Sequence, residues 1–190
     1  MGIREENKIR TRQKIIEETK NVLFEKGYLK MSTKDISNKC DVSQGTIFLH
    51  FETKERLLNY IIVQLIDEFI DNLKRVQNND SNGQKFLHET LIVISNYENV
   101  LSIAYRDYAH ISNVIKKNLD LAESTLKSMY FDNLRNSKGN DVSIVDSFVL
   151  IDAFISQIKI YLVNKDLTLH TSIIKQSTGK LNKLYKYLFQ

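Results

Sequence analysis

The 190-residue sequence predicts an all-α protein of about nine helices. It contains no proline and only 6 glycines. Since helix interiors tolerate neither residue well, whereas turn-rich sandwiches and barrels need both, this composition favours helices. Apolar residues also recur every three or four positions through most of the chain, which is the spacing of one helix face. Hydrophobic residues are 42% and charged residues 26% of the chain, a globular composition that excludes extensive disorder.

The first three predicted helices have the arrangement of a helix-turn-helix. They cover residues 7–26, 34–39 and 44–50. Gly27 follows the first helix, at a place where glycine commonly enters the left-handed conformation. Thr33 and Ser43 precede the second and third helices, and both residue types cap helix N-termini. Two short helices joined by a tight turn, behind a longer supporting helix, describe a helix-turn-helix.

A long fourth helix is predicted over residues 54–77, with Thr53 as its N-cap. It carries pairs of adjacent apolar residues about every four positions, and so wide a stripe needs neighbours on two sides. At about 1.5 Å per residue the helix spans roughly 35 Å, enough to connect two domains. We therefore expect a helix-turn-helix domain over 1–53 and a larger helical domain over 54–190.

Five further helices are predicted, with polar loops at 78–83 and 136–140. They cover residues 84–97, 100–117, 120–135, 142–163 and 173–188. The 142–163 helix is apolar around nearly its whole circumference and must therefore be buried on all sides. Because a helix-turn-helix protein reads two half-sites, we expect a homodimer in which the last two long helices pack against their mates. The alternative is that both helices belong to the core of one subunit.

The charge balance points to a polyanionic partner. The net charge is +4 and the isoelectric point is near 9.0. Residues 1–58 hold 12 Lys and Arg against 9 Asp and Glu, an excess of 3 positive charges, so most of the surplus lies there. The charged N-terminus does not read as a secretory signal, and no apolar run is long enough to span a membrane. We expect a cytoplasmic protein with no membrane partner.

No pattern in the sequence is typical of catalysis, and we expect neither an enzyme nor a cofactor or metal site. There is no phosphate-binding glycine loop or nucleophile elbow. His88-Glu89 begins a zinc-protease-like motif, but Ile92 stands where its second histidine is needed. The lone Cys40 excludes an internal disulfide and is expected to be a small buried residue, with a redox-sensing thiol as the alternative. Two acid–histidine pairs have suitable spacing for sharing a metal, but two ligands are too few. These pairs are Asp107 with His110 and Asp166 with His170.

The segment from Thr33 to Leu58 resembles the DNA-binding domain of the TetR (tetracycline repressor) family of bacterial regulators. The resemblance is carried by Thr33, the run 36–42 and the stretch Ser43-Gln44-Gly45-Thr46-Ile47-Phe48-Leu49-His50-Phe51-Glu52-Thr53-Lys54. The hallmark of this family is a recognition helix with a hydroxyl residue, an aliphatic residue, an aromatic residue, any residue, His and Phe in succession, followed by a capped lysine. Beyond Leu58 only the length and the helical pattern resemble the family. The resemblance implies a dimer bound to an operator in double-stranded DNA.

A recognition helix lies in the major groove and contacts base edges through its N-terminal residues. The Gln44 carboxamide can pair with adenine, and Thr46 offers a hydroxyl and a methyl group. Phe48 stands where the family most often has tyrosine, so it lacks the hydroxyl. The residues expected to face the bases are Ser43, Gln44, Thr46, Phe48 and Leu49; those expected to contact the DNA backbone are Thr33, His50 and Lys54. For His50, an ordinary solvated histidine at a helix end is the alternative.

The resemblance further implies that a small-molecule effector enters the C-terminal domain and releases the operator. A mixture of aromatic and polar residues there is typical of a pocket lining. The candidate residues are Tyr105, Tyr108, His110, Phe148 and Asp152. The leading hypothesis is a repressor, with an activator of the same family as one alternative. A ligand-binding or catalytic helical bundle with a vestigial helix-turn-helix is the other.

Overall fold

The computed structural model describes residues 2–78, 83–138, 143–167 and 171–189, and within these ranges it contains α-helices and no strand. The helices are α1 (Ile3–Lys30), α2 (Thr33–Cys40), α3 (Gln44–Phe51), α4 (Lys54–Asn78), α5 (Gly83–Asn96), α6 (Glu98–Arg106), α7 (Asn113–Lys138), α8 (Ile144–Val163) and α9 (Ile173–Phe189). The predicted all-α class is confirmed. None of the described helices is long and apolar enough to cross a lipid bilayer.

Helices α1, α2 and α3 pack on one another and on the start of α4 around a small apolar core. Ile47 and Phe51 anchor α3 in this core, while Leu57 and Leu58 contribute from α4. Cys40 is completely buried as expected, and its burial, followed by the nearby Glu18 carboxylate, raises the pKa of the thiol. Because the thiolate is the reactive form, this environment favours a packing role for the cysteine over a redox role.

The first helix is longer than the predicted 7–26. It begins at Ile3 and continues to Lys30, but the chain leaves helical geometry at Gly27, where φ is +79° and ψ is 170°. Gly27 therefore breaks the helix as expected, and a further helical turn follows it. The kink lies beside α6, since a Cβ on Gly27 would be 3.1 Å from the Arg106 guanidinium.

The predicted helices 100–117 and 120–135 are divided at the wrong place. The helix α6 ends at Arg106, and α7 runs without interruption from Asn113 to Lys138. Between them the backbone N–H groups of His110 and Ile111 both donate to the Asp107 carbonyl, at 2.8 and 3.2 Å, which forms a turn. The hydroxyl of Ser112 then accepts from the backbone N–H of Ile115 at 3.4 Å and caps α7. The break comes from side-chain capping, with no glycine or proline to mark it.

The C-terminal helices form a bundle in which α4 packs on α7, α6 and α7 on α8, and α5 on α9. Its core is rich in aromatic rings, and the centroids of neighbouring rings lie 4.8 to 6.3 Å apart. The rings are Phe86, Tyr130, Phe154, Tyr185 and Phe189. The predicted loop at 136–140 is partly wrong, because α7 extends through residue 138.

The structure also bears on the predicted packing of α8 and α9. The helix α8 begins at Ile144, with Ser143 as N-cap, and Val142 lies outside the described residues. Only one face of α8 is buried within the subunit, while apolar residues on the other face are exposed. In α9, Ile174, Leu181 and Tyr185 are buried against the rest of their own chain, so they are not free to form a subunit interface.

Candidate nucleic-acid interface

The N-terminal edge of α3 is exposed and firmly positioned. The hydroxyl of Ser43 accepts from the backbone N–H of Thr46 at 3.1 Å, and the two hydroxyl oxygens are 2.9 Å apart. Ser43 is thus the N-cap of α3, as predicted. Ile47 and Phe51 hold the opposite face of the helix in the core. Because α3 is fixed from behind and at its start, its outer face can bind a ligand without rearrangement of the helix.

The residues expected to face the bases lie on this outer face. Ser43 and Gln44 are exposed, and Thr46 is half-buried beneath them. Phe48 and Leu49 are 41% and 79% exposed, unusually high values for large apolar side chains. Apolar side chains in the major groove contact the methyl group of thymine. The exposed set therefore combines an amide, two hydroxyls and two apolar groups, a composition suited to reading base edges.

Thr33 and Gln44 contact each other across the turn. The Thr33 hydroxyl donates to Gln44 Oε1 at 2.7 Å, which connects the start of α2 to the start of α3. A bidentate contact with adenine needs both the oxygen and the nitrogen of the amide. Gln44 must therefore release Thr33 to read adenine in this way, or else use its amide nitrogen alone.

The N-cap of α2 is Ser32, so the prediction that Thr33 caps this helix is wrong. Ser32 has an extended backbone and its hydroxyl accepts from the backbone N–H of Asp35, whereas Thr33 is already helical. The Asp35 carboxylate in turn accepts from Lys26 at 2.5 Å and from the Ser32 backbone N–H at 2.9 Å. The hydrogen bond from Lys26, followed by those from Ser32, lowers the pKa of Asp35 from 3.8 to about 2. These contacts fix α2 to the end of α1.

Lys54 lies at the N-terminus of α4, but its ammonium group is directed to the protein. It donates to the backbone carbonyl of Met31 at 2.5 Å, and the side chain is half-buried. This contact joins α4 to the end of α1. Thr53 caps α4 as predicted, since its hydroxyl accepts from the backbone N–H of Arg56 at 3.1 Å. Any phosphate contact of Lys54 has to share the ammonium group, which has three donors, with Met31.

The C-terminal end of α3 is bordered by basic residues of α1 that the sequence analysis did not select. Arg12 Nη1 donates to the backbone carbonyl of His50 at 2.8 Å. Burial, and then the positive charges of Arg12 and Lys8, lower the pKa of His50. The spacing of four between Lys8 and Arg12, which places both on one helix face, is the signal that was available.

The residues predicted to bind an effector do not form one cluster. Tyr108 and His110 are exposed in the turn between α6 and α7, and Lys116 lies 5.2 Å from the Tyr108 ring. Phe148 stacks on Phe131 at the surface with centroids 5.1 Å apart. Asp152 forms an ion pair with Lys127 at 2.8 Å. Of the predicted residues, these four lie outside the interior cavity described next.

A small cavity lies inside the bundle, between α4, α5, α6, α7 and α8, and Tyr105 is one of its walls. Its lining is apolar apart from Tyr105 and Lys159, and consists of Phe69, Ile94, Leu101, Tyr105, Leu126, Ile155, Ile158, Lys159 and Leu162. The Lys159 ammonium group lies 5.1 Å from the Tyr105 ring centroid and donates to Glu123 at 2.7 Å. Burial, followed by the charge of Glu123, raises the pKa of the Tyr105 hydroxyl. The apolar wall residues come from helices distant in sequence, so no local pattern marked them.

The fold and the exposed α3 define a helix-turn-helix protein with a helical C-terminal bundle. Residues 15–61 match the family model described as "Bacterial regulatory proteins, tetR family". This part of the chain is therefore similar to the DNA-binding domain of the TetR family, as its motif indicated.

Curated relatives agree with this assignment. The uncharacterized HTH-type transcriptional regulator YvdT of Bacillus subtilis is 28% identical over 101 residues, which are 51% of this chain and 52% of YvdT. The chain thus spans about half the length of that relative. The uncharacterized HTH-type transcriptional regulator YvkB of the same organism is 24% identical over 74% of this chain and 78% of its own length. The HTH-type transcriptional regulator UidR of Escherichia coli is 37% identical over 54 residues, 28% of each chain.

Solved structures share the fold over nearly the full chain. The TetR-family regulator PfmR of Thermus thermophilus superposes with a TM-score of 0.69 at 14% identity, covering 90% of this chain and 97% of that one. A transcriptional regulator of Aquifex aeolicus gives 0.70 at 19% identity, covering 94% and 99%. AibR, solved in complex with isovaleryl coenzyme A and operator DNA, gives 0.69 at 16% identity, covering 92% and 98%.

Proposed function

We propose that this TetR-family protein is a homodimeric repressor that binds an operator in double-stranded DNA and leaves it when a small-molecule effector binds. It acts as a regulator and not as an enzyme. The observation that carries the proposal is the outer face of α3, which is polar at its N-terminal edge, exposed, and fixed to the core by Ile47 and Phe51. Residues 1–53 would bind DNA, and residues 54–190 would form the dimer and bind the effector.

In this proposal the outer face of α3 reads the bases. Gln44 and Thr46 make hydrogen bonds to base edges, while Phe48 and Leu49 pack on thymine methyl groups. Ser43 belongs to the same edge, although its hydroxyl also caps the helix. The residues assigned to the DNA backbone are Thr33, His50 and Lys54. Contacts with the DNA backbone set the position of α3 on the duplex and carry no sequence information themselves.

The cavity beside Tyr105 is the site we assign to the effector. Its apolar walls and its half-buried tyrosine and lysine suit a largely apolar molecule with one polar or acidic group. AibR, which shares this fold, was solved in complex with isovaleryl coenzyme A, a ligand with an apolar acyl group. Because the cavity is small in this structure, the effector would have to enlarge it by moving helices of the bundle. A ligand that prefers the enlarged form shifts the dimer away from the DNA-binding geometry.

A gel-shift titration tests the DNA-binding assignment. The probe is the duplex upstream of the protein's own gene, compared with a shuffled duplex of equal length. We expect the wild type to prefer the native duplex and Gln44→Ala to lose about 1 to 3 kcal/mol of that preference. Thr33→Val removes the hydroxyl that holds Gln44 but keeps the amide, so it should retain more of the preference. Gln176→Ala, on the exposed side of α9, is the matched control. Equal discrimination by Gln44→Ala and the control would contradict the assigned readout.

A further inference from the structure

A group of basic side chains borders the C-terminal end of α3. It consists of Lys8 and Arg12 on the outer face of α1 and of His50 on the last turn of α3; we call it the α1–α3 basic surface. Lys8 is exposed, and Arg12 and His50 are half-buried. The members come from segments about forty residues apart in sequence, and the packing of α1 on α3 brings them together. They lie at the opposite end of α3 from Ser43 and Gln44.

Arg12 is held in place by three contacts. Its Nη1 atom donates to the His50 carbonyl at 2.8 Å, and its guanidinium carbon lies 4.1 Å from the Phe51 ring centroid and 5.2 Å from the Tyr60 ring centroid. The guanidinium thus serves as a side-chain cap for the carbonyl end of α3 and stacks on two aromatic rings. Arginine has five N–H donors, and one is used by the carbonyl. The remaining donors are available to an anion near His50.

The charged and titratable groups around His50 are mainly positive. From α1 these are Lys8 and Arg12, which both act on the imidazole. From α4, Tyr60 packs on Phe51 with ring centroids 6.1 Å apart. The following residue of the chain, Glu52 at the end of α3, forms an ion pair with Arg56 of α4, so its carboxylate is already compensated. An anion that approaches His50 therefore meets an uncompensated positive field.

We propose that Lys8, Arg12 and His50 form a phosphate-binding surface for duplex DNA, and that His50 takes up a proton when the duplex binds. This inference rests on the proposed DNA-binding function and adds two residues of α1 and a proton to it. The ligand is the sugar–phosphate backbone beside the groove that α3 enters, so the contact does not depend on base sequence. In this arrangement Arg12 both positions the end of α3 and donates to phosphate.

The sign of the pH effect follows from the surroundings of His50. In the free protein, burial, and then the charges of Arg12 and Lys8, lower the pKa of His50 and so favour the neutral imidazole. A phosphate beside the ring favours the charged form and raises the pKa in the complex. Binding then consumes a proton, and the affinity for DNA increases as the pH falls from the pKa of the complex towards that of the free protein. One linked proton per subunit changes the association constant by up to about tenfold per pH unit.

Fluorescence anisotropy with a labelled, random-sequence duplex measures this linkage, since phosphate contacts do not require the operator. Affinity is measured between about pH 5.5 and 8 for the full-length wild type, His50→Gln and Lys8→Gln. We expect the wild type to bind more tightly at low pH, and His50→Gln to bind with a much smaller pH dependence. Lys8→Gln should weaken binding at every pH and lower the slope against log salt by about 1 per subunit.

Arg10→Gln is the matched control. Arg10 is exposed on α1 and bonded to Asn7, and it is two residues from Lys8, so it faces another side of the helix. Like Lys8→Gln, the Arg10→Gln substitution removes one positive charge, but it leaves the α1–α3 basic surface unchanged. A wild type that binds the duplex equally at all pH values, or a Lys8→Gln variant no weaker than Arg10→Gln, would overturn the inference and leave the proposed function standing. Failure of the wild type to bind any duplex would instead overturn the proposed function.

Discussion

Glu98 and Lys165 form an ion pair that is almost completely removed from water, with side chains 6% and 4% exposed. Lys165 Nζ donates to Glu98 Oε1 at 2.6 Å and to the Thr171 carbonyl at 3.0 Å. The other carboxylate oxygen of Glu98 accepts from the Ser172 hydroxyl at 2.6 Å and from the backbone N–H of Ile174 at 3.3 Å. The pair therefore connects the start of α6 to both ends of the segment between α8 and α9.

Substitution of Glu98 by Gln is expected to destabilise the protein by about 3 to 5 kcal/mol, because it leaves the charge of Lys165 buried without its carboxylate partner. Urea unfolding followed by circular dichroism measures the loss. Glu52→Gln is the control, since it removes an exposed ion pair with Arg56 and should cost less than about 1 kcal/mol. Equal costs for the two substitutions would show that the buried pair does not stabilise the bundle.

The outer face of α3 was predictable from the sequence, but the contacts that hold it were not. Ser43, Phe48 and Leu49 are exposed as the motif indicated, because a short helix with two buried anchors has only one way to face. The contact of Thr33 with Gln44 and that of Lys54 with Met31 join residues 11 and 23 positions apart. Such contacts depend on how separate helices pack, and no local pattern encodes them.

Some helix boundaries were predictable from the local sequence, and others were not. Capped boundaries, such as those at Ser43 and Thr53, were predictable because the capping residue is adjacent in sequence. The turn between α6 and α7 was missed, since the apolar spacing continues through it and Ile111 is buried there. Ser112 ends up as a cap partly because its hydroxyl also donates to Asn59 of α4 at 2.8 Å. A contact with another helix thus decides where α7 begins.

The kink in α1 can be tested through Gly27. Its φ of +79° is strained for any residue with a Cβ, and a Cβ there would lie 3.1 Å from the Arg106 guanidinium. Gly27→Ala is therefore expected to cost roughly 1 to 3 kcal/mol and to loosen the contact between α1 and α6. Differential scanning calorimetry should show a lower melting temperature.

Gly179→Ala is a control of opposite sign for the Gly27 substitution. Gly179 lies in α9, and an added Cβ there would meet nothing within 4 Å. Alanine has the higher helix propensity, so this variant is expected to be more stable by about 0.5 to 1 kcal/mol. If both glycine substitutions stabilise the protein, the left-handed conformation assigned to Gly27 is wrong.

The arrangement of the whole chain was predictable to the extent that it follows from periodicity. The wide stripe of α4 is buried as expected, because α1, α5, α6 and α7 surround it. The lining of the interior cavity was not predictable in the same way. Tyr105 lines the cavity, whereas Phe148 and Asp152 lie on earlier turns of α8 than the residues that line it. A one-dimensional pattern cannot state which neighbour each turn of a helix receives.

The exposed apolar face of α8 is the surface through which we expect two subunits to pair. Val145 and Val149 are 73% and 63% exposed, and Ile144, Phe148 and Ile160 extend the same surface. So large an apolar patch on one helix is typical of a protein–protein interface. A twofold axis beside α8 would pair this face with itself and place two copies of α3 on one side of the dimer.

Val149→Glu is expected to turn the dimer into a monomer, because the twofold axis brings two buried, unpaired carboxylates close together. Analytical ultracentrifugation measures the subunit mass, and the same samples are titrated with operator duplex. Affinity for DNA should fall together with the dimer, since a single α3 contacts only one half-site. Ile92→Glu, on the exposed side of α5, introduces the same charge away from α8 and should leave both properties unchanged. A Val149→Glu protein that stays dimeric would place the twofold contact on a different surface, and α8 would then need another partner for its apolar face.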